Sequence, residues 1–141
     1  MFQALGIHHL GIAVHDADAA AESYQRLLGA ELDHADEVSE LGVRAVALRV
    51  GAGPLVELVA PLGADTPVGR FLARRGEGMH HVAYRVDGLQ GWLDRLAGEG
   101  VELVDTRARR GLFGMQVAFI RPESVMGVLV ELVEPLEERH G

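Results

Sequence analysis

Hydrophobic and polar positions alternate along IHHLGIAV (7–14) and again along MHHVAYRV (79–86), and each run predicts a strand. In the first, His9, Gly11 and Ala13 share one face, while Leu10, Ile12 and Val14 share the other. In the second, His81, Ala83 and Arg85 oppose Val82, Tyr84 and Val86. The bulky face is expected to cover a helix, and the small-residue face to leave space above the sheet. His9 and His81 therefore point into a cavity, whereas His8 and His80 do not.

The pattern then changes period. DADAAAESYQRLLG (16–29) predicts a helix, with Asp16 or Asp18 as its N-cap and Gly29 as its C-cap. Strands are expected near 30–37, 43–51 and 54–60. Behind the second strand, GLQGWLDRLAG predicts a helix at about 88–98, followed by strands near 101–106, 115–121 and 127–134. Between the halves, PLGADTPVGRFLARRGEG supplies a short helix around 67–75, and its glycines and prolines mark a boundary. Each half thus reads as strand, helix and three strands, which makes the chain α+β.

The two halves also share residues. GPLVELVAP (53–61) and GVLVELVEP (127–135) each place one carboxylate, Glu57 or Glu131, inside an apolar run. From His9 to His81 is 72 residues, and from Glu57 to Glu131 is 74. So constant an offset implies duplication of a module about half the chain long. The expected organisation is a single domain over 1–141, with module one at 5–62, a connecting segment at 63–78 and module two at 79–136.

Composition narrows the chemistry. The 141 residues suit one compact domain, and 48% hydrophobic with 24% charged is ordinary for a globular protein. No run approaches a membrane span, and MFQALGIHHL lacks the pattern of an export signal, so a cytoplasmic location is expected. The net charge of −8 argues against nucleic-acid and anionic-membrane partners. With no cysteine and no lysine, thiolate and Schiff-base chemistry are excluded. Ser23, Ser39 and Ser124 are the only serines, and none lies in a G-x-S-x-G turn. Histidine, aspartate and glutamate remain.

Taken singly, Glu57 and Glu131 read equally well as edge-strand residues facing water, and His9 and His81 as ordinary surface or hydrogen-bonded histidines. Together, two imidazoles and two carboxylates at matched positions suit an octahedral divalent ion such as Co, Ni, Mn, Fe or Zn. A cation would also compensate carboxylates placed in apolar strands. The other histidines and Met79, Met115 and Met126 read as packing or turn residues, and Trp92 as a core anchor. Glu134, Glu137, Glu138, Arg139 and His140 read as a solvated tail.

At these residues the sequence resembles the vicinal oxygen chelate superfamily, also called the glyoxalase/bleomycin-resistance fold. The likeness runs from IHHLGIAV to GVLVELVE. It is most specific to the methylmalonyl-CoA epimerases over TPVGRFLARRGEGMHHVAYRVD, SELGVR and VAFIRPES. The resemblance implies two βαβββ modules whose mixed sheet curves around a metal held by His9, Glu57, His81 and Glu131. It implies interconversion of the C2 epimers of an acyl-CoA thioester, methylmalonyl-CoA, and a homodimer.

Glu131 is then the expected base. Some members carry a further glutamate where this chain has Ala45, which cannot take a proton, so Glu57 is the expected second base. Arg107, Arg109 and Arg110 are candidates for phosphate contact. A glyoxalase I-type lyase acting on a glutathione hemithioacetal would use the same four ligands. A ring-cleaving dioxygenase would need only two histidines and one carboxylate. A non-catalytic bleomycin-resistance-like module need not keep all four ligands, so finding all four weighs against it.

Overall fold

A computed structural model describes residues 2–136; Glu137, Glu138, Arg139 and His140 lie outside the described residues. The described residues form eight strands, paired in both parallel and antiparallel fashion, and three α-helices. The first run is β1 (Gly6–Ala13), α1 (Ala17–Leu28), β2 (Glu31–Val38), β3 (Val43–Arg49) and β4 (Leu55–Pro61). After α2 (Pro67–Arg75) comes β5 (Gly78–Arg85), α3 (Leu89–Gly98), β6 (Arg109–Arg110), β7 (Gln116–Ile120) and β8 (Val130–Glu134). The strand–helix–three-strand order expected of each half is present.

The chain divides into two compact units, one spanning His9–His81 and the other taking the chain through His8 together with Val82 onward. In the His9–His81 unit the strand order is β2-β3-β4-β1, with β1 parallel to β4 and the other pairs antiparallel. Asp16 caps α1 by accepting a 3.0 Å hydrogen bond from the Ala19 N–H, and Gly29 ends it in the left-handed region. The alanine-rich face of α1 lies on the bulky sheet face: Val14, Ala17, Ala21, Val46, Leu48, Leu58 and Ala60 form one buried cluster. Leu48 and Leu58 are fully buried, worth about 1.5–3 kcal/mol each. The opposite face carries His9, Gly11 and Ala13 on β1, Ala45 and Ala47 on β3, and Glu57 and Val59 on β4.

In the other unit the order is β5-β8-β7-β6, with β5 parallel to β8. Helix α3 contributes fully buried Leu89 and Leu93 to a cluster with Val86, Ala118, Ile120, Val130 and Leu132. Trp92 packs at its margin, edge-on to Phe2 with ring centroids 5.5 Å apart. No helix among the described residues is long and apolar enough to cross a membrane.

Three expectations need correction. The strand near 101–106 is absent: Leu103 makes a single bridge to Ile120, and only Arg109–Arg110 pairs with β7. Isolated backbone bonds remain there, the Val104 N–H donating to the Phe119 carbonyl at 2.9 Å and the Arg121 N–H to the Glu102 carbonyl at 3.0 Å, and side chains supplement them. Asp105 accepts the Phe119 N–H at 2.9 Å, while Gln90 donates to the Thr106 carbonyl and accepts from the Ala108 N–H. The last strand starts at Val130 rather than 127, because Pro122 opens a 3-10 turn that ends at Met126 in the left-handed region. Glu134 is no solvated tail residue. Its carboxylate accepts the N–H groups of Gly88 and Leu89 at 2.7 and 3.1 Å. The N-cap of α3 is Gly88, which has no side chain to cap with, so β8 supplies the acceptor.

Candidate metal-binding and active site

The His9–His81 unit brings three of the four expected ligands together. β1 and β4 run parallel in a register that sets Gly11 beside Glu57, with His9 two residues back on the same face. His9 is 1% exposed and Glu57 3%, and both sit in strands otherwise lined by small or apolar residues. His81, at the opposite end of this unit, is 5% exposed. Its Nε2 lies 3.0 Å from His9 Nε2. The Glu57 carboxylate turns one oxygen to each ring, Oε2 at 3.4 Å from His9 Nε2 and Oε1 at 3.8 Å from His81 Nε2.

Small residues make this convergence possible. A Cβ built on Gly11 would stand 2.0 Å from His81 Cε1, 2.2 Å from Nδ1 and 2.5 Å from Nε2. The imidazole therefore occupies the volume that any side chain at position 11 would fill. Ala45 and Ala47, both buried on β3, leave the space beside Val59 and Glu57 equally low. The alternation read from the sequence thus has a steric purpose: the small face exists so that two rings and a carboxylate can share it.

The donor set fits a divalent cation. Ligands 2.0–2.1 Å from an octahedral ion lie about 3.0 Å apart when adjacent, which is the separation of the two Nε2 atoms. Burial of a carboxylate costs several kcal/mol unless a cation or good hydrogen bonds compensate it. A metal facing Glu57 would supply that compensation.

Glu131 belongs to the other unit. It is 7% exposed on β8, paired in register with Ala83 on β5 and with Phe119 on β7. Val133, two residues on, joins Ala83, Met115 and Val117 in a small buried cluster, with Phe113 packed against it. Buried His9, His81 and Glu131 each offer a donor atom of the kind a divalent ion takes. The three candidate phosphate contacts differ in character. Arg107, Arg109 and Arg110 are exposed, and Arg109 Nε donates to Asp105 at 3.0 Å while its guanidinium lies over the Phe119 ring.

One neighbour of the site escapes a reading by alternation. His80 precedes His81 in β5 and by strand geometry should face away from it. Its Nδ1 nevertheless lies 2.9 Å from His81 Nδ1, and its ring packs edge-on against Phe71 of α2 at a centroid distance of 4.8 Å. The HH dipeptide was visible in the sequence, but nothing in the period of a strand indicates that the two rings touch.

Comparison with known proteins identifies the family of the chain. Residues 8–119 match the family model of the Glyoxalase/Bleomycin resistance protein/Dioxygenase superfamily. The chain is 35% identical to human mitochondrial methylmalonyl-CoA epimerase over 127 residues, covering 89% of this chain and 72% of that protein. The crystal structure of methylmalonyl-CoA epimerase from Mycobacterium tuberculosis superimposes with a TM-score of 0.90 at 40% identity, over 95% of this chain and 90% of that one. A Streptomyces coelicolor methylmalonyl-CoA epimerase variant in complex with 2-nitronate-propionyl-CoA gives a TM-score of 0.90 at 34% identity, covering 96% of this chain and all of that one (100%).

Proposed function

We propose that this chain, which belongs to the glyoxalase/bleomycin-resistance/dioxygenase superfamily, is an isomerase that interconverts the two C2 epimers of methylmalonyl-CoA. The observation that carries the reading is the meeting of His9 and His81 Nε2 atoms at 3.0 Å beside the Glu57 carboxylate. Relatives of the same name at 35% and 40% identity support it.

The proposed ligands of a divalent metal are His9, Glu57, His81 and Glu131. A divalent ion held by these residues would supply Lewis acidity for the negative charge that develops when a proton is taken from carbon beside a thioester. The chain's own groups do the rest. Glu131, on a strand whose neighbours Ala83 and Val133 are buried and apolar, is the proposed base that removes the C2 proton. Glu57 is the proposed partner on the opposite face, acting in its protonated form to deliver a proton to C2 and give the other epimer, so that each turnover leaves Glu131 protonated and Glu57 ionised until solvent resets them. Ala45, fully buried and without a titratable group, takes no part in proton transfer. Exposed Arg107, Arg109 and Arg110 are proposed contacts for the phosphates of the CoA carrier. The proposed setting is the cytoplasm, and the proposed assembly a homodimer.

Proton NMR of methylmalonyl-CoA in deuterated water tests this directly. Metal-loaded protein is expected to wash out the C2 proton signal at a rate proportional to enzyme. No exchange, together with turnover of the methylglyoxal–glutathione hemithioacetal, would overturn the epimerase reading in favour of a lactoylglutathione lyase.

A further inference from the structure

We propose that His80 is a positioning residue that fixes the tautomer of His81, so that the Nε2 lone pair of His81 faces the ligand position. The inference rests on the metal reading above, and goes beyond it by assigning a role to a residue outside the ligand set.

A neutral imidazole carries one N–H, and the bond made by one ring nitrogen decides what the other can do. His81 has a polar neighbour at each nitrogen. Nε2 faces His9 Nε2 at 3.0 Å and Glu57 at 3.8 Å, and Nδ1 faces His80 Nδ1 at 2.9 Å. If His81 carries its proton on Nδ1, it donates to His80, and Nε2 is left as a lone pair on the side of His9 and Glu57. If the proton sits on Nε2, the ring presents a donor where a ligand is needed. His80 Nδ1 as acceptor selects the first arrangement, which places the proton of His80 on its own Nε2.

Two further features hold the pair in place. The His80 ring lies edge-on to Phe71 of α2, with an interplanar angle of 77°. Phe71 is in turn covered by the Arg75 guanidinium, 5.8 Å from its ring centroid. On the other side, the missing Cβ of Gly11 gives the His81 ring its seat. His81 is therefore bounded by a contact that sets its position and another that sets its proton. Groups that orient a ligating histidine in this way typically contribute 10–100-fold to metal affinity.

The test has two readouts, neither of them catalytic. In metal-free protein with 15N-labelled histidine, two-bond proton–nitrogen correlation identifies the tautomer of His81. Cobalt(II) titration then measures affinity. Wild-type His81 is expected to carry its proton on Nδ1. His80→Phe keeps a ring against Phe71 but removes the acceptor; it is expected to abolish the preference and weaken cobalt binding roughly 10–100-fold. His80→Asn, whose amide oxygen can accept, is expected to recover most of the affinity, which a purely packing role would not allow. An Nε2-protonated His81 in the wild type, or a His80→Phe variant with unchanged tautomer and cobalt affinity, would overturn the proposal. A wild-type chain that takes up no cobalt would overturn the metal reading instead, and the metal-free tautomer would still decide whether His80 sets His81.

Discussion

Strands β1 and β5 descend from the same pattern, yet position 11 is glycine and its counterpart, position 83, is alanine. Both are buried, and each lies two residues beyond its histidine. The difference is steric. The His81 ring fills the place of a Cβ on Gly11, so the first strand gives up a methyl to seat the second strand's ligand. The outer strands diverge further. β2 and β3 pair from Glu31 opposite Arg49 to Val38 opposite Val43, whereas β6 is two residues long and Asp105 and Gln90 side chains add bonds beside it. The first strands of the two halves, β1 and β5, are each eight residues long, whereas the outermost strand falls from eight residues in β2 to two in β6.

Matched substitutions in the two halves test how far that equivalence extends to chemistry. The largest effect is expected for the carboxylates. Glu131→Gln should keep the fold, by circular dichroism, and slow C2 proton exchange by about 10²–10⁴-fold, the usual contribution of a positioned base. Glu57→Gln should leave exchange from one epimer but impair delivery of the proton that forms the other. Equal exchange by Glu131→Gln and wild type would remove Glu131 as base. Next comes His81→Ala, in which stoichiometric cobalt uptake by elemental analysis should be lost; full occupancy would refute its assignment as ligand.

The glycine–alanine contrast gives a sharper pair. Gly11→Ala should displace the His81 ring and lower cobalt affinity about tenfold or more, comparable to losing an orienting contact. Ala83→Gly should retain cobalt binding and cost about 1–2 kcal/mol of stability in denaturant melts, from the backbone entropy of glycine in a strand and the loss of a buried methyl. If both changes weaken cobalt binding equally, the asymmetry between the strands has no bearing on the site.

What the amino-acid order disclosed, and what it withheld, follows from the range of the forces involved. Alternation over four to eight residues was enough to assign faces to His9, Gly11, His81 and Ala83, because strand side chains must alternate. Capping chemistry located Asp16 and Gly29, since one hydrogen bond and one left-handed residue act locally. The strand expected near 101–106 gives way to isolated backbone bonds with Phe119 and Arg121, supplemented by the side chains of Gln90 and Asp105, a pattern set by tertiary contact. Glu134 looked like tail for the same reason: its partner, the start of α3, lies 45 and 46 residues away in the chain. The contact between His80 and His81 depends on a side-chain torsion, about which hydrophobic periodicity carries no information.

The smallest expected effect concerns the first half alone and probes its longer outer strands. Arg44 of β3 reaches α1 in a bidentate contact, its Nε and Nη2 donating to the two oxygens of Asp18 at 3.0 and 2.8 Å. Glu37 of β2 lies 3.9 Å from the same guanidinium. Hydrogen bonding from Arg44 holds the Asp18 carboxyl below its ordinary value of 3.8, and Asp18 raises Arg44 in return. A carboxyl lowered on folding adds stability that is present above the ordinary value and lost as pH falls through and below it. Asp18→Asn keeps an acceptor for one hydrogen bond while removing the charge. Its melting temperature should therefore fall slightly below wild type at neutral pH, and the two should converge on acidification below pH 3.8. Because the pair is solvent-exposed, about 1 M salt should erase most of the neutral-pH difference. A gap between the melting curves that persists into acid, or that ignores salt, would mean that Asp18 acts through its placement at the start of α1 rather than through its charge on Arg44.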